Sequence, residues 1–357
     1  MNNTSAHEPG DKMPDKLPDK LPNRLPNKLP NKLIDRFNRQ VSYLRISVTD
    51  RCNLKCRYCA PTLPKPLTTE KLLTLAEMQR LVGIGTDLGI RKVRLTGGEP
   101  LCRKGVVPFI EALSRMPLLE DISLTTNGTL LTRSARQLKN AGLGRINISL
   151  DTLDRLKYQR LTGADQFDTV WRGIMQVAEL EFHPVKINVV VMKGFNDDEL
   201  EQMAGLSMRY PFHVRFIEYM PIGTDPLQAR NYFLSVAQMH QRLGRIAPLL
   251  PVAGTRRDGP ARRYRFSGAL GEIGLIGSMS AHFCDTCNRL RLTADGHLRP
   301  CLLSEETVDV MTPMRDGVSD NALAARFLQA VEQKREKHRM DFTRDQVLPT
   351  KMVSIGG

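Results

Sequence analysis

Between residues 41 and 250 the sequence alternates short apolar, β-branched runs with longer stretches of helical period, and that alternation constrains the fold more than any other feature. Residues 43–48, 92–95, 121–124, 145–150, 186–191 and 214–219 read as strands. One helical stretch begins at Thr74-x-x-Glu77, which has the form of a capping box, and carries Leu75, Met78, Leu81, Val82 and Leu88 on one face. Another runs from near Arg133 to Gly142, a residue suited to terminating a helix. Parallel neighbours need a crossover, usually a helix, so six strands with a helix after nearly every one predict a parallel sheet. The expected class is α/β, with a partial (β/α)6 barrel of the TIM type. A doubly wound sheet is the alternative, but no G-x-G-x-x-G phosphate fingerprint supports it.

The flanks read differently. Residues 13–33 repeat a four-residue unit in which Pro14, Pro18, Pro22, Pro26 and Pro30 recur. A proline in every turn forbids a helix, so residues 1–34 are expected to be an extended, disordered leader. Past Pro251, Arg256, Arg257, Arg262, Arg263 and Arg265 crowd around a single Asp258, and residues 255–265 read as a solvated linker. Short strand-like pieces and an amphipathic helix over 321–336 follow. The 357 residues therefore divide into a barrel over 35–250 and a smaller α+β C-terminal domain over 251–357. No run approaches the ~18 apolar residues of a membrane span. No apolar signal core follows the first charges, so a cytoplasmic location without a membrane partner is expected.

A net charge of +14 predicts an anionic partner: nucleic acid, nucleotide or membrane surface. Seven cysteines, an odd number, argue against a disulfide framework. Cys52-x3-Cys56-x2-Cys59 sits directly after the first strand. Three thiolates at that spacing can wrap one [4Fe–4S] cluster and leave its fourth iron open to a substrate or cofactor. Structural zinc is the other reading. A second set, Cys284-x2-Cys287-x13-Cys301, has its own zinc alternative, because His297 could complete a Cys3His site. Against that, Arg289 and Arg291 alternate with Leu290 and Leu292 and share one strand face, where two cations suit an anionic ligand. Cys102 is the unmatched thiol and is expected to be a small buried hydrophobe.

The three-cysteine loop, with Tyr58 before its last cysteine and Thr96-Gly97-Gly98-Glu99-Pro100 downstream, resembles the radical S-adenosylmethionine superfamily. The second triplet narrows the resemblance to the GTP 3′,8-cyclase family of molybdenum cofactor biosynthesis. Further matching pieces are Leu44-Arg45-Ile46-Ser47-Val48-Thr49-Asp50-Arg51-Cys52-Asn53, Gly259-Pro260-Ala261-Arg262-Arg263-Tyr264 and the terminal Gly356-Gly357. The likeness runs from about Asp35 to the end of the chain. Ala60 departs from the methionine usual there, and Cys102 from a leucine.

The resemblance implies two [4Fe–4S] clusters, the first on Cys52, Cys56 and Cys59 and the second on Cys284, Cys287 and Cys301. It implies that Tyr58, Gly98, Ser149 and Met220 border S-adenosylmethionine. Arg45, Arg94, Thr125, Lys186 and the Arg289-Leu290-Arg291 strand would hold GTP, and the Gly356-Gly357 tail would complete the active site. The implied reaction begins with a deoxyadenosyl radical that takes hydrogen from C3′ of the GTP ribose. The carbon radical then closes onto C8 of the guanine. Implied partners are a flavodoxin-like electron donor, a second copy in a homodimer and a downstream pathway cyclase. Two other classes stay open at this point. A peptide-modifying radical enzyme would lack Arg289-x-Arg291 and the diglycine tail. A nucleic-acid binder would need a continuous basic face or stacking aromatics, and aromatics are only 6% of the chain, so no nucleic-acid partner is expected.

Overall fold

The computed structural model describes residues 30–59, 66–223, 225–254, 259–340, 342 and 348–356. Most of the proline array, and with it the reading of a disordered leader, lies outside the described residues, as do Ala60, Arg256, Arg257 and Gly357. β1 (Leu33–Ile34) and β2 (Gln40–Val41) form an antiparallel hairpin with Leu33 opposite Val41, and both of those side chains are fully buried. Burying a leucine and a valine removes enough apolar surface to order the last turn of the repeat.

β3 (Tyr43–Ser47), β4 (Lys92–Thr96), β5 (Asp121–Thr126), β6 (Arg145–Ser149), β7 (Val185–Val191) and β8 (Phe212–Glu218) lie side by side in chain order, all parallel. Each coincides with an expected strand to within two residues. The capping box forms as read: Glu77 N donates to Thr74 Oγ1 at 3.1 Å, Thr74 N to Glu77 Oε2 at 2.7 Å, and helix Leu75–Asp87 follows. Helix Leu131–Asn140 ends just before Gly142, whose φ is +87°.

After residue 250 the chain lengthens this same sheet at both ends. β9 (Leu250–Pro251) and β10 (Arg262–Arg265) are antiparallel to each other, and β10 is antiparallel to β11 (Glu272–Ile276), which lies parallel to β8. The linker reading of 255–265 is therefore corrected for its last residues. Arg263 and Arg265 bind the buried Glu272 carboxylate at 2.7 and 3.0 Å, and a buried carboxylate needs such partners. At the other end β12 (Arg289–Leu292) is parallel to β3, and β13 (His297–Arg299) and β14 (Val308–Asp309) follow antiparallel. The ends of the resulting twelve-stranded sheet, β14 and β9, do not pair, so the barrel is partial. The amphipathic helix spans Asp320–Glu332, four residues shorter at its end than expected.

Strand alternation sends one set of side chains to each face. Leu44, Ile46, Val93, Leu95, Leu124, Ile146, Ile148 and Ile187 join the helices in one continuous apolar core. Their neighbours Arg45, Arg94, Thr125, Asn147, Ser149, Lys186 and Arg215 point the other way, into the barrel. The inner face is thus polar and cationic. No described helix is long and apolar enough to cross a membrane.

Candidate functional site

One cavity of about 300 Å³ opens within the curl of the sheet, and all six clustered cysteines line it. Cys52, Cys56 and Cys59 come from the loop after β3, at the C-terminal mouth where barrel sites form. Cys284 lies on the one-turn segment Cys284–Thr286, Cys287 just before β12 and Cys301 just after β13. In both sets a backbone N–H two residues on points at a sulfur: Leu54 N to Cys52 Sγ and Leu303 N to Cys301 Sγ, each 3.4 Å. Such donors favour thiolate over thiol. Burial works against them in the first triplet, pushing Cys59 up to about 12 and Cys56 well above the ordinary thiol value, with neighbouring cysteines and Asp151 adding to the shift. The second triplet is more electropositive. Burial raises the Cys287 thiol, but Arg289 and Lys334 outweigh it and bring it down to about 6. His297, the residue that would complete a zinc site, turns its Nδ1 to Asp295 at 3.4 Å and does not line the cavity. Cys102 is exposed, which corrects its reading as a buried hydrophobe.

Gly97-Gly98-Glu99 follows β4 and packs against the segment that delivers Cys52. Gly98 N donates to Thr49 O at 2.7 Å, and a Cβ on Gly98 would overlap the Arg51 carbonyl. The close approach that this glycine allows is therefore to the cysteine loop's own backbone. Glu99 is fully buried and accepts from Asn127 N at 2.7 Å, Thr126 Oγ1 at 2.8 Å and Leu101 N at 3.0 Å. Burial still lifts it to about 7. Tyr58 donates to Asp151 Oδ2 at 2.9 Å, and Asp151, lifted to about 6 by burial, also accepts from Val190 N at 2.8 Å. Ser149 and Met220 complete this side of the wall.

The opposite wall and floor are cationic. Strand register sets Arg291 beside Arg45 and Arg45 beside Arg94, a row of three guanidiniums across β12, β3 and β4. Arg289 stands next to that row, its guanidinium 4.7 Å from the Phe283 ring centre. Burial, followed by Arg94 and Arg289, holds Arg45 down to about 10. Like charges packed this closely repel one another, and an anion would relieve them. Thr125 also lines the cavity, and among the described residues its buried hydroxyl has no hydrogen-bond partner. Lys186 lies deeper, beneath the lining residues, and burial with Arg215, Arg145, Arg94 and Lys92 lowers it to about 6. Leu290 does not belong to the lining. It is the outward residue of β12 and is fully buried in the apolar core, so its side chain is removed from the substrate set. The turn Met352–Ile355 brings Gly356 into the barrel, where its carbonyl accepts from Arg291 Nη1 at 3.0 Å. Gly357 lies outside the described residues.

Sequence reading missed Asp151, Asn127, Asn188 and Arg215, all of which line the cavity. Arg215 carried a usable signal, since it alternates with Val214 and Phe216 as Arg94 alternates with Val93 and Leu95.

A family profile for the radical SAM superfamily matches residues 46–206, and one described as Molybdenum Cofactor Synthesis C matches 212–340. The fold is similar to that of Streptococcus suis SuiB bound to S-adenosylmethionine, with a TM-score of 0.58 at 16% identity over 86% of this chain and 79% of that one. The GTP 3′,8-cyclase of Heliobacterium modesticaldum is 49% identical over 91% of this chain and its own full length. That of Moorella thermoacetica is 46% identical over 90% of this chain and 99% of its own length. The chain belongs to the GTP 3′,8-cyclase family.

Proposed function

We propose that the protein is a radical S-adenosylmethionine lyase that converts GTP to (8S)-3′,8-cyclo-7,8-dihydroguanosine 5′-triphosphate, the first step of molybdenum cofactor biosynthesis. The observation that carries this reading is one cavity walled by two cysteine triplets and floored by a row of arginines. Three thiols with an N–H directed at one sulfur, and no fourth cysteine in either set, fit a [4Fe–4S] cluster with an open iron. Cys52, Cys56 and Cys59 would hold the first, and Cys284, Cys287 and Cys301 the second. When bound, the first cluster with S-adenosylmethionine supplies a deoxyadenosyl radical able to take hydrogen from C3′ of the substrate ribose.

The protein's own residues bind and orient. Gly98 leaves room along the cysteine loop, and Tyr58, fixed by Asp151, forms a wall of the S-adenosylmethionine site together with Ser149 and Met220. Arg45, Arg94, Thr125, Arg289 and Arg291, with Lys186 beneath them, take the anionic and polar groups of GTP. Fixed guanidiniums suit phosphate oxygens, and holding the ribose against the radical source converts an encounter into a positioned reaction. The partial barrel over 35–250, the C-terminal unit over 251–357, a flavodoxin-like electron donor, a homodimer and a downstream cyclase belong to the same proposal. So does a cytoplasmic site of action.

Anaerobic reconstitution of the parent chain and of Cys301→Ser tests the reading. The variant should still cleave S-adenosylmethionine to deoxyadenosine but make no cyclic nucleotide. If both activities vanish together, the second triplet is structural and the two-cluster reading fails.

A further inference from the structure

Lys334 sits just past helix Asp320–Glu332 and is 5% exposed, far outside the motifs of either cysteine set. Its ammonium donates to Arg289 O at 2.8 Å and to Pro300 O at 2.9 Å, and lies 3.8 Å from Cys287 Sγ. Those two carbonyls belong to different segments. Arg289 follows Cys287 by two residues, and Pro300 immediately precedes Cys301. One cation therefore ties together the backbone that carries Cys287 and the backbone that carries Cys301.

Lys334 is itself anchored. Arg39, paired with buried Asp35 at 2.6 Å, donates to Arg335 O at 2.7 Å and Glu336 O at 3.0 Å, the two carbonyls after Lys334. The same guanidinium donates to Cys284 O at 2.6 Å. Two cations thus fasten all three ligand-bearing segments from behind. An ammonium with three donors and no acceptor is suited to two carbonyls and a sulfur.

We propose that Lys334 is a positioning residue for an iron–sulfur cluster on Cys284, Cys287 and Cys301, setting the spacing of its ligands and raising its reduction potential through a charged N–H···S contact to Cys287. This rests on the second-cluster reading given above. Three thiolates leave such a cluster anionic, and hydrogen bonds to sulfur and nearby positive charge move its potential upward. Loss of the charge therefore destabilises the reduced cluster, and loss of the donors also frees the two segments.

The test uses the full chain, reconstituted anaerobically, as parent, Lys334→Met and Lys334→Gln, with iron count, spin-resonance titration and thermal melting of the metal-free protein. Lys334→Met should fall from about eight irons per chain to about four, with the first cluster's signal and S-adenosylmethionine cleavage intact. Lys334→Gln keeps donors without charge. It should hold about eight irons, with the second cluster's midpoint shifted to lower potential and the first unmoved. Parental iron content and potentials in both variants overturn the proposal. So does unfolding of both metal-free variants, which would make Lys334 a packing element only. If the parent itself binds only about four irons, the two-cluster reading fails first and takes this one with it.

Discussion

At Gly356 the backbone is left-handed, with φ of +68°, and a Cβ would overlap Thr96 Oγ1 and press on Ser47. Any other residue must therefore pull the tail away from β3 and β4, and with it the carbonyl that accepts from Arg291. Gly356→Ala should reduce cyclic-nucleotide formation at least tenfold, an order of magnitude set by how strongly a reaction between positioned groups depends on placement. Iron content and thermal midpoint should stay near the parent's, because so short a tail contributes little to global stability. A variant that turns over at the parental rate would show that the tail's path does not matter. The two cysteine triplets stand out in the sequence by residue type and spacing. Gly98 and this glycine are singled out only by the family resemblance, since alone each reads as part of an ordinary turn or a chain end. Asp151 does not stand out, since a carboxylate after a strand is ordinary until the fold sets it beside Tyr58. Lys334 was illegible for a stronger reason: its partners lie 34 and 45 residues away in the chain.

The elements with a period of their own were legible as well. All six parallel strands carry apolar residues at alternate positions, and the first long helix announces itself through Thr74 and Glu77. Elements made only by tertiary pairing were not. β1, β2 and β9 have two residues each, too few for any period. β10, Arg-Arg-Tyr-Arg, has no apolar alternation and is held by pairing with β11 and by the ion pairs of Arg263 and Arg265 with Glu272. The helix start gives a clean test of how locally such signals act. Thr74→Ala removes the acceptor for Glu77 N and should lower stability by about 1 kcal/mol. Denaturant midpoints would read that loss, while S-adenosylmethionine cleavage and GTP conversion per folded molecule should be unchanged. A loss of activity without a loss of stability would mean that the helix communicates with the cavity in a way the cap does not explain. Glu77 also binds Arg315 at 2.8 Å, so Glu77→Ala should lose more than Thr74→Ala.

On the scale of the whole molecule, the barrel inverts the usual arrangement by turning its apolar side chains outward to the helices and its cations inward. Part of the +14 net charge is thus concentrated around one cavity, where it opposes folding and favours an anion. Lys186 makes the conflict measurable. Burial and then Arg215, Arg145, Arg94 and Lys92 lower it to about 6, against roughly 10.4 for a free lysine. Between those values the unfolded chain holds a proton that the folded chain lacks, so the contribution of Lys186 makes stability rise with pH across that window. Lys186→Met removes the penalty. The ligand-free variant should melt at a higher temperature than the parent at pH 7, with the difference shrinking toward pH 9. The same change should weaken GTP binding, because Lys186 adds a positive charge beneath the arginines that line the cavity and so strengthens the field felt by the triphosphate. Parent binding should also take up a proton near pH 7, because the triphosphate draws the lysine back to its charged form. That uptake would be seen as a dependence of the titration heat on buffer ionisation. A variant that melts lower at both pH values and binds GTP as tightly as the parent would show that Lys186 is a packing residue, and that the cationic floor is not held in tension for its substrate.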